Sequence, residues 1–267
     1  MRDAIRLYGR YIGISIRGQM QYRASFAMQA AAFFLVTIIE FCAIWALFDR
    51  FGSLRGWTLP EVAVLYGMVH IAFALAEGVA RGFDVFPQMV RGGDFDRLLL
   101  RPRSTALQVA GQEMQLMRLG RLLQGLAVLL WGAASAGIAW TAARIGLLIA
   151  AIAGGACLFS GLFVLQATLA FWTIETLEIV NTVTYGGTET AQFPLSIYRP
   201  WFRRFFTLVV PLACVSYFPA HAILGRPDPL GTPPAWHWVS PAVGVGFLAV
   251  SLRIWQVGVR HYRSTGS

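Results

Sequence analysis

The sequence predicts an all-α integral membrane protein: six transmembrane helices, an N-terminal interfacial amphipathic helix and a short polar helix on the cytoplasmic side. Three observations predict it. Hydrophobic residues make up 57% of the 267 and charged residues only 13%, whereas a soluble domain carries roughly 25% charged residues. The apolar residues gather into runs of about 20 or more, the length needed to cross a bilayer. The charges that are left fall mostly between those runs.

Taken in order, residues 1–22 place Arg2, Arg6, Arg10 and Arg17 within a stripe of roughly 80° on a helix. Ile5, Tyr8, Ile12 and Ile16 form another face, which suits a helix lying in the interface. A signal peptide is not expected, because the following apolar run is too long for an h-region. The first span is read at about 24–48, with Glu40 its one acid. A Gly- and Pro-containing loop leads to the second at 61–80, which holds His70 and Glu77. A polar segment fills 81–118, and a helix begun near 104 is expected to run on into the third span at 119–140. A turn near Trp140 precedes the fourth span, 145–172, where Gly154, Gly155 and Gly161 suit close helix packing. A helix end, a break at Gly186-Gly187 and an interfacial stretch are expected over 174–204. The fifth span is read at 205–224, bent by Pro211 and Pro219. The sixth is read at 239–258, after a proline-rich loop with Trp236 and Trp238 at the interface. The whole chain, 1–267, forms one transmembrane domain.

The arginines set the orientation. Seventeen fall on the side of the termini, the 81–121 stretch and the 199–204 loop. Four, Arg50, Arg55, Arg144 and Arg226, fall on the other side, and Arg253 lies within the last span. The positive-inside rule then puts both termini in the cytoplasm. The net charge of +9 is divided among loops and forms no single patch, so it predicts no nucleic-acid partner. Every basic side chain is Arg; with no Lys there can be no G-x-x-x-x-G-K-[ST] phosphate loop in this chain. Cys42, Cys157 and Cys214 are far apart and apolar in setting, and the four histidines show no metal-ligand spacing.

The most polar stretch is Arg91-Gly92-Gly93-Asp94-Phe95-Asp96-Arg97-Leu98-Leu99-Leu100-Arg101-Pro102. It is too short to span and too apolar for a solvated loop. It reads as a short cytoplasmic helix that presents an apolar and charged face to a partner, with Phe95, Leu98 and Leu99 as anchors at helical spacing.

The run from Gly93 to Pro102 is similar to the "G-x-F-D-x-x-L-L-x-P" segment of ABC-2 type transporter membrane subunits. Phe193-Pro194-Leu195-Ser196-Ile197-Tyr198, Pro211-Leu212-Ala213 and Tyr217-Phe218-Pro219-Ala220 resemble that family's pattern leading through the fifth span. Phe193 stands where a tyrosine is expected. The resemblance implies a permease of an ATP-binding-cassette system, chiefly an exporter, in a bacterial cytoplasmic membrane. It implies a separate ATPase subunit that holds ATP and Mg, so no cofactor in this chain. It implies a second permease copy, identical or paralogous, and it makes Gly93, Asp94, Phe95, Asp96, Arg97, Leu98, Leu99, Leu100, Arg101 and Pro102 the coupling helix.

Ionisable residues inside a membrane are functional candidates because burying one costs about 3 kcal/mol or more. Glu40 and His70 are therefore candidate linings of a translocation path. Glu77 is expected near the cytoplasmic interface, paired with Arg81 four residues on; Glu175 and Glu178 read as a water-exposed helix end. Two other functions compete: a membrane enzyme acting on a lipid or lipid-linked group, and a non-catalytic scaffold or channel subunit. The first needs catalytic groups clustered at one depth, and the sequence offers no such cluster.

Overall fold

Apolar residues on every side of a helix require neighbours on every side, and the second long apolar run is where this chain meets that condition. A computed structural model describes residues 2–113, 119–172 and 177–262. Among the described residues the chain is helical, apart from one isolated bridge between Leu54 and Trp57. Helix α1 (Arg2–Gln19) joins α2 (Arg23–Phe51) through a 3-10 turn. Among the described side chains of α2 only Thr37, Ile44 and Phe48 are buried, so most of its described apolar surface faces outward. Helix α3 (Leu59–Asp84) is the centre of the bundle, buried almost throughout. Its start is fixed by a capping box, Thr58 with Glu61, and by Pro60 in the first turn.

Short helices α4 (Phe86–Arg91), α5 (Asp94–Leu99) and α6 (Thr105–Ala110) follow. The expected run from 104 into the third span does not form: α6 ends at Ala110, and Gly111 lies so close to Tyr11 that a Cβ there would sit 2.9 Å from its ring. Residues 114–118 lie outside the described residues. Helix α7 (Leu119–Ser135) ends earlier than expected, ahead of a turn with Gly137 at φ 64°. It packs on α3 through glycine: a Cβ on Gly67 would come within 2.5 Å of Leu129 Cβ. Helix α8 (Ala142–Leu169) starts at Thr141, whose hydroxyl accepts from the Arg144 amide.

Helix α9 (Leu177–Ala191) runs straight through Gly186-Gly187, where a break was expected. Gly187 is a packing notch: its missing Cβ makes room for Leu212 at 3.0 Å. Glu175 lies outside the described residues. Then come α10 (Pro200–Arg204), a π-helical turn over Phe205–Val209, α11 (Tyr217–Leu224), α12 (Pro234–Val239) and α13 (Ala242–His261). Helices α8 and α13 meet at glycines, as the sequence suggested for Gly154: a Cβ on Gly244 would lie 2.0 Å from the Gly154 carbonyl oxygen.

Among the described residues, four helical runs are long and apolar enough to cross a bilayer: Ile16–Phe51, Leu59–Arg91, Ala142–Leu169 and Ala242–His261. A fifth exists if Pro200–Val209 and Leu212–Leu224 count as one, but their axes meet at 74°. The span expected at 205–224, bent by Pro211 and Pro219, is instead broken into two helical pieces. Pro211 has no N–H to continue the ladder, and the geometry shows where the chain goes instead. Before the bend, the Ser196 carbonyl accepts from Arg55 at 3.2 Å. After it, Arg226 binds Glu61 and donates to the Gly56 carbonyl at 2.9 Å. Both ends of the segment thus sit beside the loop that opens α3. Between them Leu212 reaches Gly187, and Val215 lies beside Gly155 partway along α8. The segment dips into the bundle and returns. Arg203 belongs with Arg55 and Arg226, not with the amino terminus. Moving Arg199, Arg203 and Arg204 together changes seventeen against four into fourteen against seven, and the sign of the asymmetry holds.

This placement has a direct test. In a chain whose three cysteines are replaced, Arg203→Cys is expected to react with an impermeant maleimide from the same side as Arg55→Cys. Reaction from opposite sides would overturn the re-entrant path.

Candidate functional site

Two groups of residues concentrate the polar chemistry, one at the end of the bundle opposite Arg55 and one along the central helix.

At that end, Gly92 and Gly93 turn the chain between α4 and α5, with Gly93 in the left-handed region at φ 71°. Phe95 does not face outward as expected. It is fully buried, with its ring 4.9 Å from Phe86, 5.6 Å from Phe171, 6.2 Å from Trp255 and 5.0 Å from Tyr262. Leu98 is buried too. The physical reason is that α5 has a single apolar side, and the aromatic ends of α8 and α13 offer it a dry seat in the same chain. Gln108, itself buried, fastens the segment by donating to the carbonyls of Leu98 and Arg103, each at 3.3 Å. Trp255 donates to the Thr105 hydroxyl at 3.1 Å.

What α5 turns outward is Leu99, 41% exposed, and the helix-ending Leu100, 85% exposed. Around them lie Asp94 and Arg97, a loose exposed ion pair at 3.4 Å. Arg101 donates to the Tyr11 hydroxyl at 3.2 Å and so ties the segment to α1. Asp96 lies beside the Tyr262 hydroxyl. Pro102 follows in the turn before α6. A hollow of about 410 Å³ beside α5 is lined by Val85, Met89, Asp94, Arg97, Arg101 and Glu113, among others.

The second group runs along α3. Tyr66, His70, Phe73, Glu77, Arg81 and Asp84 fall within about 80° of one another at 100° per residue. Each meets a partner from another helix. His70 is buried, stacks on Tyr66 at 3.9 Å and shares a 3.0 Å hydrogen bond with Gln192. Gln192 in turn donates to Glu189 at 2.7 Å. Gln124 of α7 donates to Tyr66 at 3.0 Å and to the Thr37 carbonyl at 3.2 Å. Glu77 is fully buried and pairs with Arg121 of α7 at 3.1 Å. The expected Glu77–Arg81 pair does not form: Arg81 holds Asp84 and Tyr185 instead, and Gln166 of α8 donates to Asp84 at 3.1 Å. Arg121 also lies over the Phe73 ring at 5.2 Å.

Glu40, half-buried on α2, lies within electrostatic reach of Glu189 and Arg121. The two residues singled out as path candidates, Glu40 and His70, therefore belong to one polar column, and Glu189 is its exposed member. Arg121, Gln124, Gln166, Tyr185, Glu189 and Gln192 were not singled out. The regular spacing on α3 was the available signal for the column. Its partners come from three other helices and carry no local pattern.

Among the described residues no three of His, Cys, Asp and Glu gather as a metal site. A family model described as "ABC-2 family transporter protein" matches residues 34–266, most of the chain and all of α3 to α13. No curated protein and no solved structure matches the chain.

Proposed function

This chain belongs to the ABC-2 family of transporter proteins, and from that premise we propose that it is the multi-pass permease subunit of an ATP-driven exporter in a bacterial cytoplasmic membrane. A separate ATPase subunit binds ATP and Mg and supplies the energy. Two permease chains, identical or paralogous, enclose the path. Six crossings, α2, α3, α7, α8, α9 and α13, leave both termini cytoplasmic, in keeping with the arginine asymmetry. In this arrangement α9 replaces the bent segment as the fifth crossing, and α1 lies in the cytoplasmic interface. The column of Glu40, His70 and Glu189 lines the path on the flank formed by α2, α3 and α9.

The observation that carries the coupling role is the two-sided character of α5. Its inner side is seated on α8 and α13 through Phe95, while Leu99 and Leu100 stand in water. Adjacent exposed leucines at the end of a rigidly seated helix suit a shallow groove on a cytosolic partner. Because packed interiors resist compression, a displacement of Leu99 and Leu100 reaches Trp255 and Phe171 through Phe95. The partner contact belongs to the leucines; Phe95 is the inner end of the lever.

Leu99→Asp combined with Leu100→Asp is expected to leave the permease folded and membrane-inserted. Burying a leucine is worth about 1.5–3 kcal/mol before ordering costs, and tenfold in affinity is about 1.4 kcal/mol. The double change should weaken ATPase association at least tenfold in a pull-down titration and abolish transport. Wild-type retention of the ATPase would sink the reading.

A further inference from the structure

Opposite the coupling end, the re-entrant segment and the loop before α3 enclose a cavity of about 320 Å³. Its walls include Arg55, Trp57, Ser196, Arg203, His221 and Arg226. We propose that this cavity is a binding site for a phosphate monoester or inorganic phosphate. It stands on geometry alone and does not rest on the transport reading.

The charge balance is the first argument. Three guanidinium groups share one small cavity, and the nearby acids are already engaged. Glu61 holds Arg226, and it also accepts from the Thr58 amide at 2.8 Å and the Thr58 hydroxyl at 3.0 Å. Asp228 is surrounded by donors: Tyr217 at 2.9 Å, the Leu230 amide at 3.0 Å and the Thr232 hydroxyl. Burial alone would raise the Asp228 carboxyl, but the hydrogen bonds from Thr232, Leu230 and Tyr217 outweigh it and hold the group below its ordinary value. Neither Arg55 nor Arg203 has an acidic partner among the described residues; Arg55 has only the Ser196 carbonyl. Arg55 is exposed, but Arg203 is partly buried; half-burying a cation without a counter-charge is unfavourable, and an anion in the cavity removes that cost through charge-assisted, fork-matched hydrogen bonds.

The second argument selects the anion. His221 lines the cavity and is buried to 1% exposure. Its Nδ1 lies 3.3 Å from the Arg226 carbonyl oxygen. A carbonyl can only accept, so Nδ1 carries the proton and Nε2 of the neutral ring is a bare acceptor. No hydrogen bond reaches that Nε2; the nearest carboxylate oxygen, on Asp228, is 4.0 Å away. The cavity wall therefore combines guanidinium donors with a buried imidazole whose Nε2 has no hydrogen-bond partner. Inorganic phosphate at neutral pH presents the complement, oxyanions for the arginines and a P–OH for an acceptor; a phosphate monoester, with its second pKa at about 6, presents it as the monoanion. Sulfate and carboxylate carry no such donor at neutral pH. Trp57, fully buried beneath Arg226 with the guanidinium 4.8 Å above its ring, holds that arginine in place.

The test uses the full-length chain in phosphatidylcholine nanodiscs. Radiolabelled inorganic phosphate is titrated and sulfate is offered as competitor. In parallel, nanodiscs containing phosphatidic acid, a monoester lipid, are scored for lipid retention by native mass spectrometry. Saturable binding of free phosphate identifies an aqueous ligand, and selective retention of phosphatidic acid identifies a headgroup; either supports the site. Arg203→Gln is expected to weaken whichever is seen at least tenfold, while Arg204→Gln, on an exposed neighbour, leaves it unchanged. The proposal is overturned if wild type binds neither probe, if sulfate competes as well as phosphate, or if Arg203→Gln and Arg204→Gln behave alike.

Discussion

Phe95→Ala is expected to destabilise the transmembrane domain by about 3–5 kcal/mol, the usual cost of removing a fully buried phenylalanine. The ring touches four other aromatic residues contributed by α4, the end of α8, α13 and the residue after α13. Edge-on and tilted aromatic contacts of this kind add about 0.5–1.5 kcal/mol each beyond burial. The cavity cannot close by a local shift, because Gln108 pins the far end of α5 through the Leu98 and Arg103 carbonyls. Leu99→Ala removes a side chain already 41% exposed and should cost less than about 1 kcal/mol. Thermal unfolding in one detergent, followed for both variants, checks the contrast. Equal, small shifts would mean that Phe95 is not the seat of the segment. The same experiment separates folding from coupling: a Leu99 and Leu100 variant that loses its ATPase while keeping its melting temperature has lost a surface, whereas a Phe95 variant loses both.

The sequence revealed more of the 91–102 segment than of its packing. The double glycine, the aspartates and the proline predicted a short helix, and α5 begins after Gly93, which the structure places in the left-handed region at φ 71°. Which of its apolar residues face inward was not legible, because that depends on Trp255 and Phe171, far away in sequence. The long helices were legible for the opposite reason: a run such as Ala142–Leu169 carries its own hydrophobic signal. The bent segment misled for a physical reason. Residues 205–224 have the composition of a span, but Pro211 and the π-helical turn before it break the rod, and no local pattern shows that both of its ends return to Arg55 and Glu61. Arginine counting could not detect the error, since the asymmetry keeps its sign with Arg199, Arg203 and Arg204 on either side. Glu77 failed in a similar way. Four-residue spacing made Arg81 the obvious partner, yet Arg81 is held by Asp84 three residues on, and Arg121 arrives from another helix.

Arg121→Ala is expected to be as damaging as Phe95→Ala, at about 3–5 kcal/mol, because it removes a counter-charge 3.1 Å from a carboxylate with no exposed surface. The pair is one of three side contacts that hold α7 to α3 at the centre of the bundle, with Gly67 against Leu129 and Gln124 on Tyr66. Truncating Arg121 also empties the space above Phe73, where the guanidinium sits 5.2 Å from the ring centre. The decisive comparison is a rescue. Arg121→Met restores most of the volume but leaves the carboxylate, so it should remain strongly destabilised. Glu77→Gln in the same chain removes the charge as well, and the double variant should recover most of the lost stability, since replacing both members of a buried pair costs far less than removing one. Unfolding of wild type, Arg121→Met, Glu77→Gln and the double variant gives the coupling as a double-mutant cycle. A cycle that closes additively, with Arg121→Met near wild type, would show that the ion pair does not hold α7 to the centre of the bundle.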